Sequence, residues 1–329
     1  MHVSSSLRCS IVIRSYNEER CIGRLLHGIA QQTVGNVETI VVDSGSTDAT
    51  RTIARRYSAK ILSVRPEDFS FGYSLNIGCR EAAADIIVIA SAHVYPVYRD
   101  WLERLLVPFE DAKTALVYGK QQGGNATKFS EGQVFARWFR GTSASNQSTP
   151  FCNNANAAIR REVWLQLPYN ENLTGLEDID WARRAMQLGY RIAYEADAVV
   201  VHVHNETPVQ TCNRYRREAI ALMTIYPEEV FRFSDFLRLF LQNVLSDLNQ
   251  AWREGVLRGE LVGILSFRLM QFWGTYRGFA QRGPVRTELK RTFYYPLRKS
   301  PEKLTVQPSP TDRLLVDYQS SEPLYRGYS

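Results

Sequence analysis

Ala84-Asp85-Ile86-Ile87-Val88-Ile89-Ala90-Ser91-Ala92-His93-Val94-Tyr95-Pro96 sets the architecture of this chain. Its apolar run is too short to span a membrane. By length and β-branching it reads as a strand buried on both faces of a parallel sheet. A strand of that kind lies mid-sheet, and its carboxyl end opens into the crevice where open α/β sheets bind ligands. The residues delivered there are Ser91, Ala92 and His93, before Pro96 stops the strand.

Upstream, Cys9-Ser10-Ile11-Val12-Ile13-Arg14 reads as a first strand, followed by the loop Ser15-Tyr16-Asn17-Glu18-Glu19. Ile22, Leu25, Leu26 and Ile29 then recur at helical spacing. Thr39-Ile40-Val41-Val42-Asp43 is a second strand and runs into Ser44-Gly45-Ser46-Thr47-Asp48. That loop is small and polar, and its amides and hydroxyls can converge on an anion beside a helix start at Ala49. Lys60 to Val64 is a third short strand. Pro66 to Tyr73 is a loop with Gly72 as its hinge, and a helix from Ser74 to Ala84 carries Asn76 and Arg80 on one face. This order of strands and helices belongs to a doubly wound sheet.

Downstream, Trp101 to Phe109 is a helix and Thr114 to Tyr118 returns to the sheet. Gly141 to Thr149 reads as a mobile or substrate-ordered loop. Phe151 to Ile159 concentrates side-chain amides at Asn153, Asn154 and Asn156. Amides both donate and accept, which suits sugar hydroxyls; an Asn-rich turn is the simpler reading. Gly175-Leu176-Glu177-Asp178-Ile179-Asp180-Trp181 opens a helix that Gly189 closes. On spacing alone, its acids are stabilisers of the helix dipole. Ile192 to Val201 is the last strand and ends in His202-Val203-His204, whose imidazoles alternation sends to the same face. A packed core histidine fits that apolar setting equally. Arg214, Arg216 and Arg217 follow, either as a lid over a diphosphate or as a solvated helix face.

Phe231 to Phe279 is long, amphipathic and aromatic, and between residues 220 and 300 basic residues outnumber acidic ones. Those helices are expected to dock on the catalytic domain, and contact with an anionic membrane surface stands beside a purely capping role. Residues 301–329 form an irregular tail with no fold of its own. The expected organisation is therefore a domain over 1–225, a helical region over 226–300 and that tail.

The 329-residue chain is 44% hydrophobic and carries a net charge of +6, which favours an anionic partner. No basic block interleaved with aromatics resembles a nucleic-acid module, so nucleic acid is excluded as partner. The five cysteines lack the paired spacing of zinc sites and read as buried thiols of a reducing compartment. No run approaches the ~18–20 apolar residues of a membrane span, and Met1 to Leu7 lacks a signal-peptide core. The expected location is cytoplasmic, with association at the inner face of the cell membrane left open.

Three pieces taken together, Ile11 to Glu19, Val41 to Asp48 and Gly175 to Trp181, resemble the family-2 glycosyltransferases, inverting enzymes of the type A glycosyltransferase fold. The resemblance covers about residues 8–225. It implies a mostly parallel, Rossmann-like α/β sheet followed by a C-terminal helical region. It implies a nucleotide-sugar donor held by Ser15, Tyr16, Glu18 and Asp43, joined by Ser44, Asn76, Ser91 and Ala92. Asp178, with Glu177 beside it, is then the general base that activates an acceptor hydroxyl. Asn153, Asn154, Asn156 and Trp181 lie toward a glycan or lipid-linked glycan acceptor, although Trp181 fits the core as well. Arg214 and Arg217 meet the diphosphate. Where the family carries Asp-X-Asp, this chain has Ser91-Ala92-His93, and some related transferases use Asp-X-His. His93 and His202 are thus the implied ligands of a divalent metal, Mn2+ or Mg2+. Within the family, the loop Asp68 to Tyr73, Leu75-Asn76-Ile77-Gly78 and the C-terminal helices look most like bacterial enzymes that build rhamnose-containing and other surface polysaccharides. A catalytically degenerate scaffold of a polysaccharide assembly complex is the alternative, and the Glu177-Asp178 pair speaks against it. The absence of a Gly-X-Gly-X-X-Gly after the first strand speaks against a dinucleotide-dependent oxidoreductase.

Overall fold

The computed structural model describes residues 8–125, 127–281, 283, 285, 287–294 and 313–318. In chain order the elements are β1 (Cys9–Ser15), α1 (Ile22–Ala30), β2 (Val37–Asp43), α2 (Thr50–Arg56), β3 (Lys60–Ser63), α3 (Phe71–Glu81), β4 (Ile86–Ser91), β5 (Val94–Pro96), α4 (Trp101–Leu106) and β6 (Thr114–Gln122). They continue with α5 (Phe129–Trp138), β7 (Asn156–Arg160), α6 (Arg161–Gln166), α7 (Glu177–Gln187), β8 (Arg191–His202), α8 (Pro208–Ile225), α9 (Phe233–Arg253), α10 (Leu257–Phe279) and α11 (Thr287–Tyr294).

One eight-stranded sheet runs β3-β2-β1-β4-β7-β6-β8-β5. The run at 86–91 is central: β4 pairs parallel with β1 and antiparallel with β7, and Ile87, Val88 and Ile89 are fully buried. Its successive side chains enter two different cores, Ile87 and Ile89 on one face and Val88 and Ala90 on the other. That two-sided burial explains why the run has no polar alternation.

The direction of pairing decides where ligands can bind. β1, β2 and β4 are parallel, β7 is antiparallel to both β4 and β6, and β8 is parallel to β6. The carboxyl ends of β1, β2, β4, β6 and β8 therefore share one edge of the sheet, and Ser15, Asp43, Ser91, Gln122 and His202 end there.

Several expectations change. The amide-rich stretch includes a real strand, β7, inserted antiparallel mid-sheet with Ala157, Ala158 and Ile159 fully buried. Its small side chains carry little β signal, so composition pointed to a turn. Gly72 is no hinge. It sits in the first turn of α3, where a Cβ would overlap the carbonyl of Asn170, so close backbone approach is its reason. The polar run at 141–149 is tied to β8 rather than loose: Ala144 exchanges backbone hydrogen bonds with Tyr194, and the Gln147 N–H donates to Ile192.

The single long helical pattern is two helices, α9 and α10, broken at Gly255, whose φ of 75° suits glycine. They dock on the sheet domain. Gly274 and Gly278 of α10 lie against α8, where a Cβ would meet the Cys212 carbonyl and the Ala219 methyl. A buried network ties α9 and α10 to α5: Arg268 donates Nε to Asp247 Oδ2 at 2.7 Å and Nη2 to Oδ1 at 2.9 Å, and Ser130 Oγ of α5 donates to the same carboxylate at 2.6 Å. The outward sides of both helices stay apolar, with Leu241, Leu245, Trp252 and Val262 exposed. Among the described residues, no helix is long and apolar enough to cross a membrane. The described part of the tail is not free-standing: Leu315 bridges Tyr98, Arg313 pairs with Asp100 and Tyr318 Oη donates to the Pro96 carbonyl. The rest of the predicted tail lies outside the described residues.

Candidate active site

A cleft of about 610 Å³ lies along the shared strand-end edge. At one end, the loops after β1 and β2 are fastened together. Ser46 Oγ accepts the Asn17 N–H at 2.9 Å, Asn17 Oδ1 accepts the Thr47 N–H at 2.8 Å, and Asp48 Oδ2 accepts the Glu19 N–H at 3.1 Å. The loop at 44–48 therefore spends part of its donors and acceptors on its neighbour. Three buried polar atoms at this end, Ser15 Oγ, Asp43 Oδ1 and Ser44 Oγ, have no protein partner. Buried groups of that kind ordinarily meet a ligand or water. Ser15, Tyr16, Glu18, Ser44 and Ser91 all line the cleft. Asp43 is buried just behind it and accepts the Ser46 N–H at 3.1 Å.

Across the cleft, α7 begins with the two acids. Leu176 before them takes a left-handed conformation at φ 55°, which costs energy for a branched residue and is held by its surroundings. Glu177 pairs with Arg14 at 3.0 Å, both largely buried. Asp178 Oδ2 accepts the Asn154 N–H at 3.0 Å, and Oδ1 accepts the Ile179 N–H at 2.9 Å. Burial first, and then the neighbouring Glu177 charge, pushes the Asp178 carboxyl up to about 7, against the two backbone hydrogen bonds and Arg14, which favour the charged form. A carboxylate so placed is poised to take a proton near neutral pH.

His93, His202 and His204 meet on the cleft wall, with one ligand atom from each ring within 4.8 Å of the others. Each Nδ1 has an oxygen partner: Glu18 Oε1 at 2.9 Å for His93, Gln121 Oε1 at 2.7 Å for His202 and Glu131 Oε1 at 2.8 Å for His204. Those contacts fix the ring orientations and leave Nε2 as the nitrogen not engaged by these three oxygens. Buried His202 Nε2 has no partner at all. Burial, then the His204 and His93 rings, holds the His202 pKa well below the usual imidazole range, so this ring is neutral at pH 7. The donor set fits a divalent cation.

The arginines divide. Arg214 lines the cleft, but its guanidinium is held by Glu206 at 2.9 Å and Glu131 at 2.8 Å. Burial alone would raise the Glu131 pKa; His204 and Arg214 bring it down to about 2. Arg217 also lines the cleft and lies 4.7 Å above the Phe71 ring. Arg216 turns away to Gln281 at 2.7 Å and has no part in a lid. Phe69, Phe71 and Tyr294 pack edge to face at 5.1–5.3 Å and form an aromatic wall.

Four expected site residues are structural. Asn76 is buried and serves as a junction, accepting from Trp164 Nε1 at 3.1 Å and the Tyr169 N–H at 2.9 Å. Asn156 is fully buried, accepts from Trp101 Nε1 at 2.8 Å and donates to the Ala198 carbonyl. Trp181 is fully buried and donates Nε1 to Leu167, so its ring cannot stack on a sugar. The Ala92 methyl belongs to the core. Of the expected acceptor residues, Asn153 and Asn154 line the cleft, and the buried Asn154 amide has neither polar atom partnered. His204, Glu131, Gln121 and Tyr294 are additions. The His-X-His alternation could have found the first; the others come from distant elements without local signal.

The mixed sheet with its helical C-terminal region has the type A glycosyltransferase fold. The fold is similar to that of mannosyltransferase PcManGT from Pyrobaculum calidifontis, solved in complex with GDP-Man and Mn2+, at a TM-score of 0.58 and 20% identity over 84% of this chain and 88% of that one. Residues 10–166 match Glycosyl transferase family 2. O-antigen chain rhamnosyltransferase RfbN of Salmonella typhimurium is 31% identical over 224 residues, 64% of this chain and 70% of RfbN. O-antigen chain rhamnosyltransferase WbaN of Salmonella anatum is 34% identical over 203 residues, 57% of this chain, and the match spans 64% of WbaN's length. The chain belongs to glycosyltransferase family 2.

Proposed function

We propose that this protein transfers a sugar from a nucleotide-sugar donor to a glycan acceptor in bacterial surface polysaccharide synthesis, inverting the anomeric centre in one displacement. The observation that carries the reading is Asp178: a buried carboxylate with its proton affinity raised to about 7, on the wall of the cleft that His93 also lines. The likeness to two O-antigen rhamnosyltransferases supports rhamnose as the transferred sugar and a growing O-chain as the acceptor.

In this reading the nucleotide lies across the ends of β1 and β2, where Ser15, Asp43 and Ser44 offer unpartnered polar atoms and Tyr16 and Glu18 flank them. The acceptor sugar lies toward Asn153 and Asn154. Asp178 takes the proton from the acceptor hydroxyl as its oxygen bonds to the anomeric carbon and the bond to the nucleoside diphosphate breaks. Glu177, paired with Arg14, adds the negative field that keeps Asp178 basic. Arg217 offers positive charge on the diphosphate side. A divalent cation, Mn2+ or Mg2+, held by His93 and His202, would supply further neutralisation of the diphosphate charge. Peripheral contact with an anionic membrane is assigned to the exposed apolar residues of α9 and α10, with exposed Arg238, Arg253 and Arg258 beside them in sequence.

The test is release of nucleoside diphosphate from a panel of nucleotide sugars, activated rhamnose included, with a glycan acceptor present and Asp178→Asn as control. Acceptor-dependent release that the variant lacks is the expected result. Binding of the nucleotide sugar with no release from any donor would favour the degenerate scaffold.

A further inference from the structure

We propose that His204 takes the place of the carboxylate missing at Ser91, completing with His93 and His202 a three-imidazole site that prefers a transition metal to magnesium, and that Glu131 is its positioning residue. The proposal deepens the metal part of the reading above and rests on it.

The ligand chemistry differs from what the sequence implied. With two histidines and no carboxylate, the site is poor and any hard oxygen-seeking ion would serve it weakly. His204 adds a third nitrogen, and the potential ligand atoms of the three rings fall within 4.8 Å of one another. Imidazole suits zinc, iron, cobalt and nickel, and to a lesser degree manganese; magnesium seeks an octahedron of oxygens and keeps its waters. Among the described residues, no Asp, Glu or Cys joins this group. The set therefore discriminates by ligand type.

The support around the rings is built in. Glu18 follows β1, Gln121 lies on β6 and Glu131 on α5, so three separate elements each orient one imidazole through Nδ1. Such partners fix the tautomer and raise ligand basicity. Glu131 stands apart because one oxygen, Oε1, meets both His204 Nδ1 and Arg214 Nη2 at 2.8 Å. It is buried, and its carboxylate ties the orientation of a metal ligand to that of an arginine lining the same cleft. Loss of Glu131 should therefore loosen both.

The test measures metal binding on the full-length protein in the absence of nucleotide, so that it stands apart from sugar transfer. Metal-stripped protein is titrated with Co2+ and followed by visible absorbance and calorimetry. The expected result is one site per chain, with His204→Ala and His93→Ala each lowering affinity at least tenfold. Glu131→Gln should lower it roughly 10- to 100-fold, as loss of such a partner typically does. Millimolar Mg2+ should leave the cobalt spectrum in place. Far-UV circular dichroism and thermal melting of the variants exclude global unfolding as the cause. Unchanged affinity in His204→Ala, or displacement of cobalt by an equal concentration of Mg2+, overturns the proposal. Tight cobalt binding without transfer to any acceptor would instead count against the transferase reading and leave the metal site standing.

Discussion

Replacing Asp178 by asparagine should cut transfer at least ~100-fold and, at the same time, remove a pH-dependent burden on the fold. The Asp178 carboxyl rises from an ordinary 3.8 to about 7 because it is buried beside Glu177. Between about pH 4 and pH 7 the unfolded chain has released this proton while the folded chain keeps it. The folded state binds more protons in that window, so this contribution to stability is complete at low pH and is lost as pH rises through about 7. Each pH unit is worth about 1.4 kcal/mol, so the full window amounts to about 4 kcal/mol. The interval from pH 5 to pH 7 alone amounts to about 2 kcal/mol, because the slope tapers as the pH nears 7. An asparagine side chain in its place has no proton to lose. Its amide does forfeit one of the hydrogen bonds from Asn154 and Ile179, but that penalty is nearly constant with pH and cancels from the slope.

Denaturant unfolding of both proteins at intervals from pH 5 to pH 8 measures the difference. The stability of Asp178→Asn relative to the native protein should climb by about 2 kcal/mol between pH 5 and pH 7 and level off above pH 8. Parallel stability profiles would refute the claim that burial raises this carboxyl, and with it the assignment of Asp178 as a base tuned to neutral pH. In the same preparations, kcat for Asp178→Asn should drop at least ~100-fold with donor affinity nearly intact. The native kcat/KM should rise with pH toward a plateau with an apparent pKa near 7, the ionised carboxylate being the active form.

Asn76→Ala should destabilise the protein by about 2–4 kcal/mol, because it strands the buried donors of Trp164 and Tyr169, while nucleotide affinity of the folded fraction stays unchanged. Titration calorimetry beside denaturant unfolding separates the two; weakened nucleotide binding at unchanged stability would return Asn76 to the site. Arg268→Met should cost about 3–5 kcal/mol by leaving Asp247 buried and unpaired, and the double variant with Asp247→Leu should recover much of it in the same unfolding assay. Gly274→Leu should force α10 off the Cys212 carbonyl of α8 and lower the melting temperature, whereas Gly259→Leu, with open space around the position on the same helix, should change it little.

Local patterning in the chain was enough to place the parallel strands of the sheet and most of what their ends present. A β-branched run at 86–89 with no polar alternation has to be buried on both sides, which puts β4 mid-sheet and sends Ser91 and His93 to the ligand edge. The Glu177-Asp178 pair and the loops after β1 and β2 could be placed because each is a local motif at the end of a local element. Asn76, Asn156 and Trp181 could not, since whether an amide or an indole faces a ligand or a core depends on what packs over it. Here those neighbours are Trp164, Trp101 and Leu167, all distant in the chain or on another element. It took the assembled fold to establish that β7 enters antiparallel, that Glu131 stands behind His204, and that Tyr294 closes a wall with Phe69. The order of residues reports how an element meets water and core; it carries no record of which two elements, far apart in the chain, will share a cleft.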